Sequence, residues 1–146
     1  MIYARIVPAL RAFELIQTKD WDSAIRAAGL TPAQVDHGGA QLGLCKIGVV
    51  VGEYGLFTPP ETTAYFGINR NLYAGNALVY AVDHRGETID FDLMDELRAA
   101  VMWLPDRPAV ELAIRTGVIR RPMITADGKL VWTWPGPDPF NREVKA

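Results

Sequence analysis

The sequence is poor in the groups that build metal and redox centres. Its 146 residues hold one cysteine, Cys45, and two histidines, His37 and His84. A lone thiol makes no internal disulfide, so the fold must rest on its core rather than on covalent staples. Two histidines and one cysteine leave few soft ligands for zinc, and no metal is expected. No apolar run approaches the ~20 residues that span a bilayer, so no membrane contact is expected. A strong charge excess is missing too. Fifteen basic side chains meet seventeen acidic ones, a net charge of −2, which argues against general affinity for a polyanion. There is no phosphate loop, dinucleotide fingerprint or nucleophile elbow, and therefore no expected cofactor. Repeats, low-complexity tracts and a secretory apolar region are also lacking. With the single thiol, this gives a cytoplasmic expectation.

What is present is ordinary globular material, 49% hydrophobic and 22% charged. Cys45, within Leu44-Cys45-Lys46-Ile47, reads as a small buried hydrophobe. Residues 2–7 read as a first strand. Pro8 suits the first turn of a helix, and Leu10, Phe13 and Ile16 recur at helical spacing to about Thr18. Asp20 caps a second helix with Trp21, Ile25 and Ala28 on one face, ended by Gly29 in the left-handed conformation. Thr31-Pro32-Ala33-Gln34 combines a capping box with proline at the first helical position, so a third helix is expected from Pro32.

From Leu44 the period changes. Residues 44–51 read as a buried strand and residues 64–68 as another. Glycines and prolines over residues 52–60 read as turn and loop. Residues 77–82 alternate strongly and are expected to pair with residues 87–91 across the turn Asp83-His84-Arg85-Gly86. Residues 92–104 carry a stripe of Leu93, Met94, Leu97, Val101 and Leu104 and read as one long helix, stopped by Pro105. Asp106 caps a further helix to about Thr116, ended by Gly117. Residues 123–134 read as a hairpin about Asp127-Gly128. Its Trp132 and Trp134 are expected on one aromatic face, and residues 135–146 form an irregular tail.

The layout of residues 21–35, a helix, a glycine turn and a capped second helix, is that of a helix-turn-helix. It resembles the DNA-binding end of LysR-type regulators. That resemblance implies a winged-helix regulator, with Leu10-Arg11-Ala12-Phe13 on its first helix and residues 49–57 as the wing. Charge weighs against it. Residues 1–60 balance Arg5, Arg11, Lys19, Arg26 and Lys46 against Glu14, Asp20, Asp22, Asp36 and Glu53. The second helix offers Gln34, Asp36, His37 and Gln41 without one Lys or Arg, whereas DNA affinity needs phosphate neutralisation.

Two stretches have the composition of a site. In Asp36-His37-Gly38-Gly39 a histidine beside an acid could serve as a general base, or as the charged end of a helix. In residues 69–76, Arg70, Asn71, Tyr73 and Asn76 sit between two strands and read as a polar ligand loop. Arg70 would be an anion fork, and the amides would orient the ligand. Opposed charge blocks follow. Residues 83–96 hold six acids and one arginine, and residues 107–121 hold four arginines and one acid, apt for a protein partner or a homo-oligomer.

The expected fold is therefore a single α+β domain, mostly antiparallel hairpins, with a helical subregion over residues 1–43. A β-rich region with two helices would fill residues 44–134. The expected function is a small non-catalytic binding or accessory protein, acting through protein contacts or the polar ligand loop. The alternatives are an enzyme using His37 and Asp36 with the 69–76 loop, and the degenerate winged-helix regulator.

Overall fold

Strand β1 (Ile2–Val7) forms where the sequence places it, and there the chain leaves expectation. The computed structural model describes residues 1–52, 63–124, 126–127 and 130–133. Pro8–Leu10 make a single 3-10 turn, Arg11 takes a left-handed φ of 48°, and the chain reverses into β2 (Ala12–Gln17). The helix expected through Thr18 is thus a strand. Phe13 and Ile16 have helical spacing but contribute to different cores on the two faces of the sheet. Six residues paired against β1, from Ile2–Gln17 to Val7–Ala12, outweigh a local period.

Helix α1 (Trp21–Ala27) is as expected: the Asp20 carboxylate accepts from the Ser23 N–H at 2.8 Å. Its end is a Schellman closure, with the Leu30 N–H on the Ile25 carbonyl and Gly29 at φ 83°. The next helix does not exist. Residues 31–34 make a turn, and β3 (Val35–Leu42) follows, which removes the helix-turn-helix reading. One of its two glycines serves packing: a Cβ on Gly38 would lie 3.0 Å from the Tyr73 hydroxyl. Across the Gly43-Leu44 turn, with Gly43 at φ 62°, β4 (Cys45–Gly52) pairs back on β3. Cys45 sits beside that turn and is exposed, so the burial expected of it is wrong.

Next come β5 (Tyr65–Ile68), β6 (Asn71–Ala74), β7 (Ala77–Val82) and β8 (Thr88–Ile89). Residues 69–76 are thus largely a strand and its turns, not an open loop. Helix α2 (Met94–Ala100) is half the length its stripe predicts. The chain turns extended at Val101, ψ 128°, and β9 (Met102–Leu104) joins β5. Asp106 caps α3 (Arg107–Arg115) through the Ala109 N–H, and β10 (Arg121–Ile124) and β11 (Leu130–Thr133) form the expected hairpin. Readings for residues 53–60, the 135–146 tail and the Trp132 and Trp134 contacts lie outside the described residues.

Eleven strands and three helices of seven to nine residues make up the described chain. This corrects the expected fold class. Strands lead throughout, and residues 1–43 hold β1, β2 and β3 around one short helix instead of a helical subregion. The main sheet runs β2-β1-β7-β4-β3, with β8 also on β7; a second runs β6-β5-β9. All strand pairings among the described residues are antiparallel.

Alternation along the strands sorts the core into layers. Ile6, Val49 and Val79 of the main sheet meet Phe66, Ile68 and Tyr73 of the second. Tyr3, Val50 and Leu78 on the outer face of the main sheet are covered by Ala24, Ile25 and Ala28 of α1. On the far side, Tyr65 and Leu72 pack against Val110, Ala113 and Ile114 of α3. The order is therefore helix, sheet, sheet, helix, with Leu97 of α2 closing one side of the central layer. No helix among the described residues is long and apolar enough to cross a membrane.

Candidate ligand pocket

Two left-handed residues build the mouth of the pocket. Ile68 pairs with Asn71, so Asn69 (φ 50°) and Arg70 (φ 69°) are the centre of a two-residue turn of type I′. Asparagine tolerates this region, whereas the second position ordinarily takes glycine. An arginine held there carries strain of about 1–2 kcal/mol, which persists only where the surroundings impose it.

The surroundings are on both sides of the turn. The Asn69 side chain imitates a strand: its Oδ1 accepts from the Gln41 N–H at 2.6 Å, and its Nδ2 donates to the Gln41 carbonyl at 3.2 Å. This ties the turn to β3, at the edge of the other sheet. Behind it, the Arg120 N–H donates to the Arg70 carbonyl at 2.8 Å, holding the segment after α3 against the turn.

Between these supports lies a cavity of about 350 Å³. Asn69 and Arg70 form one side, with Gly67 of β5 beside them. Ala100 and Met102, at the end of α2 and the start of β9, form another. Gly117, Val118 and Ile119, after α3, complete the wall. Gly67 is required here because a Cβ would come within 2.5 Å of Ile119 Cδ1. The volume is at the lower end of the range for small-molecule sites, roughly 300–1,000 Å³.

Behind the turn, Asn71 and Tyr73 leave β6 on the inner face. Asn71 Oδ1 accepts from Arg120 Nη2 at 2.7 Å, and Tyr73 stacks on Phe66 with ring centroids 5.2 Å apart. Burial pushes the Tyr73 phenol above its usual range, opposed by a hydrogen bond with Asn71 and the positive charge of Arg120. This polar group supports the turn from inside and does not line the cavity.

The remaining candidates fall elsewhere. Asn76 is half-buried, its Nδ2 close to Gly29 at the end of α1. Asp36 is an exposed residue of β3. His37, also exposed, stacks on Trp21 with ring centroids 5.9 Å apart and planes 17° apart. That stack belongs to an aromatic group on the outer face of the main sheet, where Trp21 also meets the edges of Tyr3 and Tyr80. His37 and Arg70 are therefore not partners in one pocket. Of the residues singled out in the sequence, only Arg70 lines the cavity, with its neighbour Asn69. Met102 and Val118 were missed because one was read inside a helix and the other as the sequel to a helix stop.

Among the described residues, no group of three or more His, Cys, Asp or Glu side chains is placed to hold a metal ion. Comparison with family models, with curated proteins and with solved structures found no match.

Proposed function

We propose that the chain is a non-catalytic binding domain whose ligand occupies the cavity beside the Asn69-Arg70 turn. The observation that carries this is the strained Arg70, at φ 69°, on the cavity wall. Strain held at a cavity mouth by hydrogen bonds from two other elements is the pattern of a preorganised contact. A catalytic role for His37 and Asp36 would need a cleft that joins them to substrate-orienting groups. The stacked imidazole and the exposed carboxylate give it no such support.

A thermal-shift screen of the intact protein against small metabolites tests the reading, because a ligand of the native state raises the midpoint. A hit whose shift disappears in Arg70→Gly supports it. A hit that survives that change moves the site elsewhere.

Protein contact is the second reading. Leu10 and Leu15 are 75% and 59% exposed, and β2 has a neighbour on one edge only among the described residues. An unpaired strand edge with apolar side chains is a template for another chain. Sedimentation of the wild type and Leu15→Lys tests it. A concentration-dependent dimer lost in the variant supports the reading, and a monomer at all concentrations rejects self-association through this edge.

A further inference from the structure

Two glycines leave a gap in the outer face of the main sheet. Val35, Val50 and Tyr80 pack toward α1, whereas Ala40, Leu42, Ile47 and Val49 face the second sheet. Alternation therefore places Gly39 of β3 and Gly48 of β4 on the outer face, where they are directly paired. Glycine inside a strand marks a point where another group approaches the backbone closely. Over Gly48 that group is Tyr80, which lays the hydroxyl end of its ring across β4. Over Gly39 nothing stands within 4 Å of a Cβ position. The result is a notch at the end strand of the sheet.

The rim of the notch is aromatic on one side and polar on the other. His37, two residues before Gly39, shares its face and is stacked on Trp21, which also holds Tyr80 edge-on with centroids 5.2 Å apart. The three rings thus fix one another. Gln41, two residues after Gly39, closes the other end about 13 Å from His37 along the strand. Lys46 is its partner on β4. His37, Gly39, Gln41 and Lys46 are exposed, and Tyr80 is half-buried. Among the described residues, no hydrogen bond or ion pair engages the Tyr80 hydroxyl, the Gln41 carboxamide or the Lys46 ammonium.

These groups define a complement. Aromatic faces carry negative charge and attract polarised C–H bonds. Phenol and carboxamide each donate and accept, as hydroxyl groups do, and the ammonium donates. A floor without Cβ lets a ring come down to the backbone. A pyranose has both matching parts: a face of C–H bonds and a rim of hydroxyls.

We infer that the notch over Gly39 is a carbohydrate site, taking one pyranose unit of a neutral oligosaccharide. The C–H bonds of the sugar meet the rings of His37 and Tyr80, and its hydroxyls meet Tyr80, Gln41 and Lys46. The notch holds one ring and is open at the sheet edge, so the neighbouring units of the chain extend outside it. This site goes beyond the cavity reading and is independent of it.

Amide NMR titration of the full chain tests it. The probes are maltotetraose, cellotetraose, mannotetraose and chitotetraose, with adenosine as a planar aromatic control. At least one tetrasaccharide gives saturable shifts at His37, Gly39, Gln41 and Tyr80, with Gly67 and Met102 unmoved. Gly39→Val fills the notch where no atom stands in the way, so its urea midpoint equals or exceeds that of the wild type. It weakens the best saccharide at least about tenfold. Tyr80→Phe keeps the ring over Gly48 and removes one hydroxyl, a loss of about three- to tenfold. Binding by none of the four tetrasaccharides overturns the proposal. So does undiminished binding in Gly39→Val, or adenosine giving the same shifts at equal affinity. Should Gly39→Val unfold, the Gln41→Ala, Tyr80→Phe double variant decides, and undiminished binding there overturns the site. None of these outcomes touches the cavity beside Arg70, whose own test is Arg70→Gly.

Discussion

Asn69 bridges the two sheets by making both hydrogen bonds of a strand pair with one residue: Gln41 gives its N–H at 2.6 Å and receives the carboxamide N–H at 3.2 Å. A turn of the second sheet thereby acts as a partner for the edge strand of the first. Stability and the proposed ligand contact thus fall at adjacent positions, and substitutions can separate them.

Asn69→Ala removes the bridge and places a residue less tolerant of φ 50° in the turn. A loss of about 1–2 kcal/mol is expected in urea unfolding, from two exposed hydrogen bonds and the turn conformation. Asn69→Gly keeps the conformation and loses only the bridge, so it is the milder change.

Arg70→Gly has the opposite sign. Glycine adopts φ 69° without a Cβ penalty, and the variant is expected to gain up to about 1 kcal/mol, read as a higher urea midpoint. A less stable variant would show that the arginine side chain holds the turn rather than straining it.

Gly48 lies opposite Tyr80 in the β4–β7 ladder, and a Cβ there would lie 2.0 Å from Tyr80 Cζ. That ring is held edge-on by Trp21, centroids 5.2 Å apart. Gly48→Ala is therefore expected to cost about 1–3 kcal/mol, as overpacking does. In a Tyr80→Ala background the same change should cost little. The double-mutant cycle reads the difference as coupling.

Acid weakens the fold through two surface carboxylates. Asp20 is held below the usual 3.8 by the Ser23 backbone N–H and hydroxyl, and Asp83 by the N–H groups of Glu87 and Arg85. A lowered folded-state pKa contributes stability above the unfolded value, and this is lost as pH falls through the folded one. The urea midpoint should therefore decline from about pH 4 downward. In the Asp20→Asn, Asp83→Asn double variant, that acid limb should be flatter. Tyr73 works at the other end. Its raised pKa keeps its contribution intact below about pH 10, with loss as pH climbs through the folded value, so Tyr73→Phe should flatten the alkaline limb.

Local chemistry was legible where it decided the outcome. Asp20 and Asp106 cap the helices they precede, Gly29 and Gly117 are left-handed at the helix ends, and residues 77–82 alternate as the central strand does. What failed were segments whose form is set by the strand they pair with rather than by their own local period. β2 takes its form from β1, and β9 from β5 some 35 residues earlier, against helical spacing in both. Gly38 reads as a helix breaker in the sequence, yet its role is to admit the ring of Tyr73. For the pocket, Arg70 was visible as a charge among asparagines. Met102 and Val118 could not be joined to it, because a β5–β9 pairing and the turn after α3 bring them together.

The most direct measurement is a two-dimensional amide NMR titration of the intact protein with the metabolite that gives the largest thermal shift. Saturable shifts at Gly67, Arg70, Met102 and residues 117–119 are expected, with His37 and Trp21 unmoved. Shifts centred on the His37–Trp21 stack, or the same shifts persisting in Arg70→Gly at unchanged affinity, would contradict the assignment of this cavity and its cation.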